Sequence, residues 1–179
     1  MCDTNPPSVP SRFVTTWLAR LRFAELAAEG RALDVAMGWG RHSLALAQAG
    51  FRTFGVDINL RAVTEGVHAA RRQRLPVNGW CADLTRYPLP RTTFDVVLVT
   101  CYLQRDLFPA IRAAPSHGRF VIYETFTTEQ RGHGRGPTSA DHLLEPGELL
   151  ERFRGFDVEF YEEVREPDAM ARIVARRRP

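Results

Sequence analysis

Apolar and polar positions along this chain recur with two different periods, and each change of period marks an element. After Ser11, a candidate helix cap, Phe13, Val14, Trp17, Leu18 and Leu21 fall three or four apart, which predicts a helix running toward Gly30. Residues 32–37 read as a buried strand, 41–49 as a helix stopped by Gly50, and 51–56 as a second strand ending in Asp57. Leu60, Val63, Val67 and Ala70 set a helix over 59–74, closed by Pro76. A third strand follows over 77–82 before Asp83, a fourth over 94–99, a helix over 105–113 and a fifth strand over 119–124. Residues 125–144 are polar and glycine-rich, long for a connection, and so marked as functional or mobile. Pro146 opens a helix through Phe153, and strands over 157–163 and 170–176, joined at Pro167-Asp168, form an antiparallel hairpin.

Five alternations of strand and helix predict a parallel sheet covered on both faces. With the hairpin, the fold class is α/β: a Rossmann-like, seven-stranded, mostly parallel sheet with an antiparallel C-terminal pair. A chain of 179 residues suits one domain, here 11–179, preceded by a flexible, proline-punctuated tail over 1–10. No apolar run approaches the ~20 residues of a membrane span, and the start has no apolar signal core, so no membrane partner is expected. Cys2, Cys81 and Cys101 form no CxxC pair, which points to reduced thiols and a cytoplasmic protein.

Charge narrows the chemistry. All 24 cationic residues are Arg; without lysine there is no Schiff-base, pyridoxal or phosphate-loop lysine chemistry. The net charge of +3 is modest, and the clusters Arg71-Arg72…Arg74 and Arg176–Arg178 lack interleaved aromatics, so they read as solvated patches and no nucleic acid is expected. The five histidines show no HxxxH spacing, and no metal is expected.

Three strand ends carry the candidate chemistry. Gly38-Trp39-Gly40 after the first strand permits a sharp turn and close approach of a ligand to the next helix N-terminus, or serves simply as a strand-to-helix turn. The third glycine of a dinucleotide fingerprint is missing. Asp57, 17 residues after Gly40, can accept both hydroxyls of a ribose or cap the following helix. Asp83 can accept from an adenine amino group, with the Leu84 N–H on a ring nitrogen.

The segments ALDVAMGWGRHSLALAQAGFRTFGVDIN, CADL and FDVVLVT…GRFVIYETF resemble the class I S-adenosylmethionine (SAM)-dependent methyltransferases over nearly the whole chain. LQRDLFPAI, YETFTTEQRGHGRGP and HLLEPGELLERF look like the small bacterial subgroup related to tellurite-resistance methyltransferases. Ala36 stands where the family pattern has a glycine, and Trp39 is bulky where small residues are common. The resemblance implies SAM as cofactor. Asp34, Ala36, Gly38 and Gly40 would surround the methionine part, Asp57 would bind the ribose, Ile58 the adenine face, Asp83 and Leu84 the adenine edge, and Thr100 would stand at the pocket mouth. Asp34 reads equally as a loop organiser that bonds backbone amides.

The catalytic residue is not identified by the sequence; the substrate-side candidates are Tyr102, Arg105 and Arg131, with Arg135 and Cys101 nearby. A thiolate or chalcogen oxyanion needs no general base, which suits a chain with no His/Asp pair, and arginines would hold the anion. The expected function is methyl transfer to a small, soft, anionic acceptor, with no obligate protein partner. The alternative is a non-catalytic SAM-binding protein of the same fold with a regulatory role. The helix of Phe13 and Trp17 is expected either to cover the cofactor or to pack on the sheet as an ordinary amphipathic helix.

Overall fold

The computed structural model describes residues 9–23, 30–90 and 92–179, except for the side chains of Arg22 and Phe23. Most of the expected tail, and the stretch between Phe23 and Gly30, lie outside the described residues. Seven strands form one sheet: β1 (Arg31–Val35), β2 (Arg52–Asp57), β3 (Val77–Cys81), β4 (Phe94–Thr100), β5 (Pro115–Phe126), β6 (Phe156–Val164) and β7 (Met170–Arg177). Their order is β3-β2-β1-β4-β5-β7-β6; the first five are parallel, and β7 runs antiparallel to both β5 and β6. The expected fold class is the one observed.

Helices α1 (Arg12–Phe23), α2 (Arg41–Gln48) and α3 (Leu60–Arg72) share one face, and α4 (Phe108–Ala113) and α5 (Glu148–Arg152) the other. The central strands are buried on both faces, which explains their unbroken apolar runs: Leu33 and Val97 point into one core, Ala32 and Val96 into the other. Where α3 approaches the first turn and β3, glycine is required. A Cβ on Gly40 would come within 3.2 Å of the Gly66 Cα, and one on Gly79 within 2.8 Å of Val63 and Val67.

Several boundaries differ from expectation. The helix predicted over 105–113 is a 3-10 turn, Arg105–Leu107, followed by α4, which places Pro109 in a first turn where its missing N–H costs nothing. β5 begins at Pro115 rather than at 119, after a register shift between Phe94 and Val96 on its partner. Pro146 precedes α5 without opening it; Gly147 in a left-handed conformation is the cap. The long connection is built structure: two 3-10 turns, Thr128–His133 and Ala140–His142, a bridge between Thr127 and Leu144, and a buried Gln130 bonded to the Arg135 carbonyl, Asp168 and the Ala169 N–H. Of the two readings of α1, packing is what is seen. Phe13, Val14, Leu18 and Leu21 are buried on the sheet, and Phe13 and Trp17 lie 5.8 and 5.7 Å from Phe160.

Candidate functional site

The sheet's order reverses between β1 and β4, and ligands of open α/β sheets sit beyond the carboxyl ends at such a point. Both strands end there in a left-handed residue that is not glycine, Ala36 (φ 57°) and Cys101 (φ 52°). An L side chain in that region costs roughly 1–2 kcal/mol, and two such turns side by side open a crevice between the strand ends.

Beside it lies a cavity of about 490 Å³. Ala36, Asp57, Ile58, Asp83, Leu84 and Tyr102, all expected at the site, line it. Ile58 is 68% exposed, an apolar side chain left bare on the cavity wall. Each carboxylate is already held in place. Asp57 accepts from the Gly38 N–H (2.8 Å) and the Asn59 N–H (2.9 Å), so it fixes the glycine turn; the cap of α3 is Asn59, not Asp57. An ionised carboxylate has about four acceptor positions, which leaves Asp57 two for a ligand. Asp83 accepts from the hydroxyl (2.6 Å) and N–H (2.9 Å) of Thr85, and these bonds lower its pKa.

The remaining residues expected to hold the cofactor, Asp34, Gly38, Gly40 and Thr100, fall outside the cavity. Asp34 is fully buried and accepts from Ser43 Oγ at 2.6 Å, while its other oxygen has no hydrogen-bond partner. Burial, more than the neighbouring Asp57, pushes its pKa up to about 7. The carboxylate lies beneath the turn, outside the cavity, and ties the start of α2 to β1 through the Ser43 hydroxyl. Gly38 and Gly40 shape the turn above it through positive φ, and a Cβ at Gly38 would meet nothing within 4 Å. Thr100 is also buried, and its hydroxyl faces His42 at 3.0 Å. The ring of Trp39 does not line the cavity; Arg61 of α3 lies 6.0 Å over it.

His42 was not marked by the sequence. Its Nε2 accepts from the Ser11 N–H at 3.0 Å, so Nδ1 carries the proton and donates to Thr100 Oγ1. Burial, then the neighbouring Arg41, lowers its pKa to about 3. The neutral ring ties the start of α1 to the end of β4 and is not available as a base.

The arginines correct the sequence reading most. Arg105 lines the cavity, but its Nε and Nη2 donate to Glu148 (both 2.8 Å), Nη2 also to the Leu143 carbonyl and Nη1 to that of Ala140. Four of its five N–H groups are committed to protein acceptors, so it is held as part of the wall rather than free to form a fork on an acceptor anion. Arg131 donates to the Thr138 carbonyl and Arg135 pairs with Asp168; neither lines the cavity. Arg41, the first residue of α2, does not line the cavity either, but it stands beside the strand ends and differs in its partners. No carboxylate among the described residues forms an ion pair with it, and its guanidinium reaches toward the Val9 carbonyl (3.5 Å) and Cys101 Sγ (4.0 Å). A cation at a helix N-terminus opposes the dipole, and α2 has neither a capping side chain nor an acid in its first turn to offset it. By contrast, Arg176 and Arg178 of the C-terminal basic run pair with Asp157.

Residues 32–115 match the family model described as a methyltransferase domain. A SAM-dependent methyltransferase from Clostridium acetobutylicum superposes with a TM-score of 0.75 at 12% identity, over 96% of this chain and 93% of that one. The fold is that of the SAM-dependent methyltransferases. Magnesium protoporphyrin IX methyltransferase from Synechocystis, solved with bound SAH, the demethylated form of SAM, has a TM-score of 0.72 at 18% identity, over 92% of this chain and 81% of its own. TehB from Haemophilus influenzae gives 0.72 at 16%; the match covers 91% of this chain and 62% of the TehB chain. No curated protein matches the sequence. In the methyltransferase fold described here, no helix among the described residues is long and apolar enough to cross a membrane.

Proposed function

We infer that the protein is an enzyme, a SAM-dependent methyltransferase, and we propose that its acceptor is a small, soft, anionic nucleophile such as a thiolate or a chalcogen oxyanion. The cavity fits the cofactor: its volume suits a ligand of that size, Ile58 offers a bare apolar face, and Asp57 and Asp83 stand at adjacent strand ends with acceptor capacity left. When bound, the cofactor supplies an activated methyl group and a neutral leaving group. Asp57 would hold the ribose, Ile58 the adenine face, Asp83 and Leu84 the adenine edge, and the 36–40 turn the methionine part.

The observation that carries the acceptor class is Arg41. It is a cation without a carboxylate partner among the described residues, beside Cys101 at the strand ends where β1 and β4 diverge. A guanidinium there compensates an anion's charge and orients it through planar donors. His42, locked neutral between Ser11 and Thr100, takes no proton, so an acceptor that arrives already ionised suits this end of the site. The motifs of the middle and late chain support membership of the small tellurite-resistance-like subgroup.

The test is turnover with methyl-labelled SAM against thiols, chalcogen oxyanions and neutral amines, in the wild type and in Arg41→Ala. Turnover of the anionic acceptors should fall tenfold or more, about 1.5–3 kcal/mol, with SAH affinity within twofold. Equal loss for neutral acceptors would remove the anion reading. A matching loss of SAH affinity would instead put Arg41 on the cofactor's carboxylate. A protein that binds SAH but methylates nothing in the panel would be the non-catalytic alternative.

A further inference from the structure

We propose that Arg105 is a positioning residue for the cofactor: with Glu148 it latches residues 139–143 as the outer wall of the adenosine end of the cavity. The inference rests on the SAM reading above.

Asp141 and His142 line the cavity, yet the 3-10 turn that carries them, Ala140–His142, has no buried side chain. On the C-terminal side the chain is anchored by Leu143 and Leu144, both fully buried. On the other side, residues 138–140 are exposed and offer nothing apolar to hold. Arg131 holds the Thr138 carbonyl from within the same connection, and Arg105 supplies the attachment to the rest of the fold. Its Nη1 donates to the Ala140 carbonyl at 3.2 Å and its Nη2 to the Leu143 carbonyl at 2.9 Å, so one guanidinium grips the turn at both ends.

That guanidinium is itself fixed. Glu148, at the start of α5, accepts from Arg105 Nε and Nη2 and also from Arg152 and the Glu145 N–H. Burial opposes its charge, but the bonds from Arg105, Glu145 and Arg152 prevail and hold its pKa at about 2. The latch therefore stays charged throughout the working pH range. A planar fork is needed: a lysine could not meet two carboxylate oxygens and two carbonyls together.

The residue before it works on the opposite wall. Gln104 Nε2 donates to the Leu84 carbonyl at 3.2 Å, and Leu84 is the expected adenine contact. Thus two successive residues after β4 reach both sides of one slot, Gln104 the inner wall and Arg105 the outer. Their joint effect is to set the slot's width for a flat purine. The ligand class is an adenine nucleoside, with or without the methionine chain.

Calorimetry should use two probes, SAH and 5′-methylthioadenosine, which lacks the amino-acid end. In folded Arg105→Ala, checked by circular dichroism, both affinities should drop by at least tenfold and by the same factor within about twofold. Glu148→Gln keeps the shape but loses the charge and turns one of the two oxygens that accept from Arg105 into an NH2 donor, and should weaken both two- to fivefold. A general loss of stability would not produce one common factor at a temperature where both variants are folded. If Arg105→Ala does not fold, the double variant Asp141→Ala/His142→Ala, which alters only exposed positions, should still weaken 5′-methylthioadenosine by at least threefold. Unchanged nucleoside affinity in either folded variant, or a loss confined to SAH, overturns the proposal. A wild-type protein that binds neither probe overturns the SAM reading itself, and this inference with it.

Discussion

The proposed adenosine end of the crevice and its proposed acceptor end are built in opposite ways. At the first, Asp57 is fixed before a ligand arrives by two backbone amides, Asp83 by Thr85, and the backbone of the outer wall by Arg105 and Glu148. At the second, Arg41 is a cation without a carboxylate partner among the described residues, and Cys101 takes a left-handed turn. Pre-formed bonds lower the ordering cost of binding, so the first end is made for tight and invariant recognition. A charge on a long side chain with no ion pair among the described residues adapts, which suits a group whose identity the scaffold need not dictate.

The largest expected effect breaks this contrast if it fails. Asp57→Ala removes the expected ribose contacts and also releases the Gly38 and Asn59 amides, so SAH affinity should fall by about two orders of magnitude, roughly 3 kcal/mol. Asp57→Asn, which keeps an acceptor for Gly38, should lose less. Arg131→Ala, whose one bond lies within its own loop, should leave SAH affinity within twofold. Isothermal calorimetry on the three variants checks the ranking, and comparable losses for Asp57→Ala and Arg131→Ala would mean that the adenosine end is not anchored where we place it.

The same contrast explains what could be read from the chain. β1 and β4 are buried on both faces, so Leu33-Asp34-Val35 and Val96–Val99 are unbroken apolar stretches around a single polar residue, and an acid or glycine at a strand end stands out against them. Asp57 and Asp83 end or follow the less buried β2 and β3, and were legible instead because each acid stands between a short strand and a turn. The latch was not, because Arg105 and Glu148 are 43 residues apart and each sits in an unremarkable amphipathic segment. Proximity to the strand end made Arg105 look like an anion ligand; only the fold supplies the competing carboxylate. His42 escaped notice likewise, since its partners lie 31 and 58 residues away. The onset of β5 was hidden by Pro115-Ser-His-Gly118, a turn-like composition that the neighbouring β4 recruits into the sheet.

A second effect concerns the groups beneath the crevice and sharpens the comparison by their opposite titrations. Asp34 has a raised folded-state pKa, about 7, so its protonated form is favoured by folding; the stability it allows is full below about pH 4 and is lost as pH rises through 7. His42 has a depressed folded-state pKa, about 3, so its contribution is full above the unfolded value near 6.5 and is lost as pH falls toward 3. Between pH 4 and 6.5 the two slopes oppose each other and largely cancel in the wild type. Asp34→Asn should unmask the acid loss and His42→Gln the alkaline one, each on the order of 2 kcal/mol across its window. Urea midpoints measured from pH 3.5 to 8 would show it, and parallel curves for all three proteins would mean that neither group is buried as described.

The smallest effect tests whether the strain at the strand ends is local. Ala36 adopts φ 57° at the cavity wall, a conformation that glycine enters without the Cβ clash. Ala36→Gly relieves that clash but loosens the unfolded chain, and these two terms oppose each other. The net gain should be at most about 1 kcal/mol in the urea midpoint. SAH affinity should stay within about threefold, because the turn above is fixed by Asp57 rather than by residue 36. Ala36→Val, which adds a branched side chain at the same φ, should destabilise by more than the glycine variant stabilises. If the glycine variant instead lost both stability and cofactor affinity, the alanine methyl would be a ligand contact in its own right, and the adenosine end would extend one strand further toward the acceptor than the carboxylates suggest.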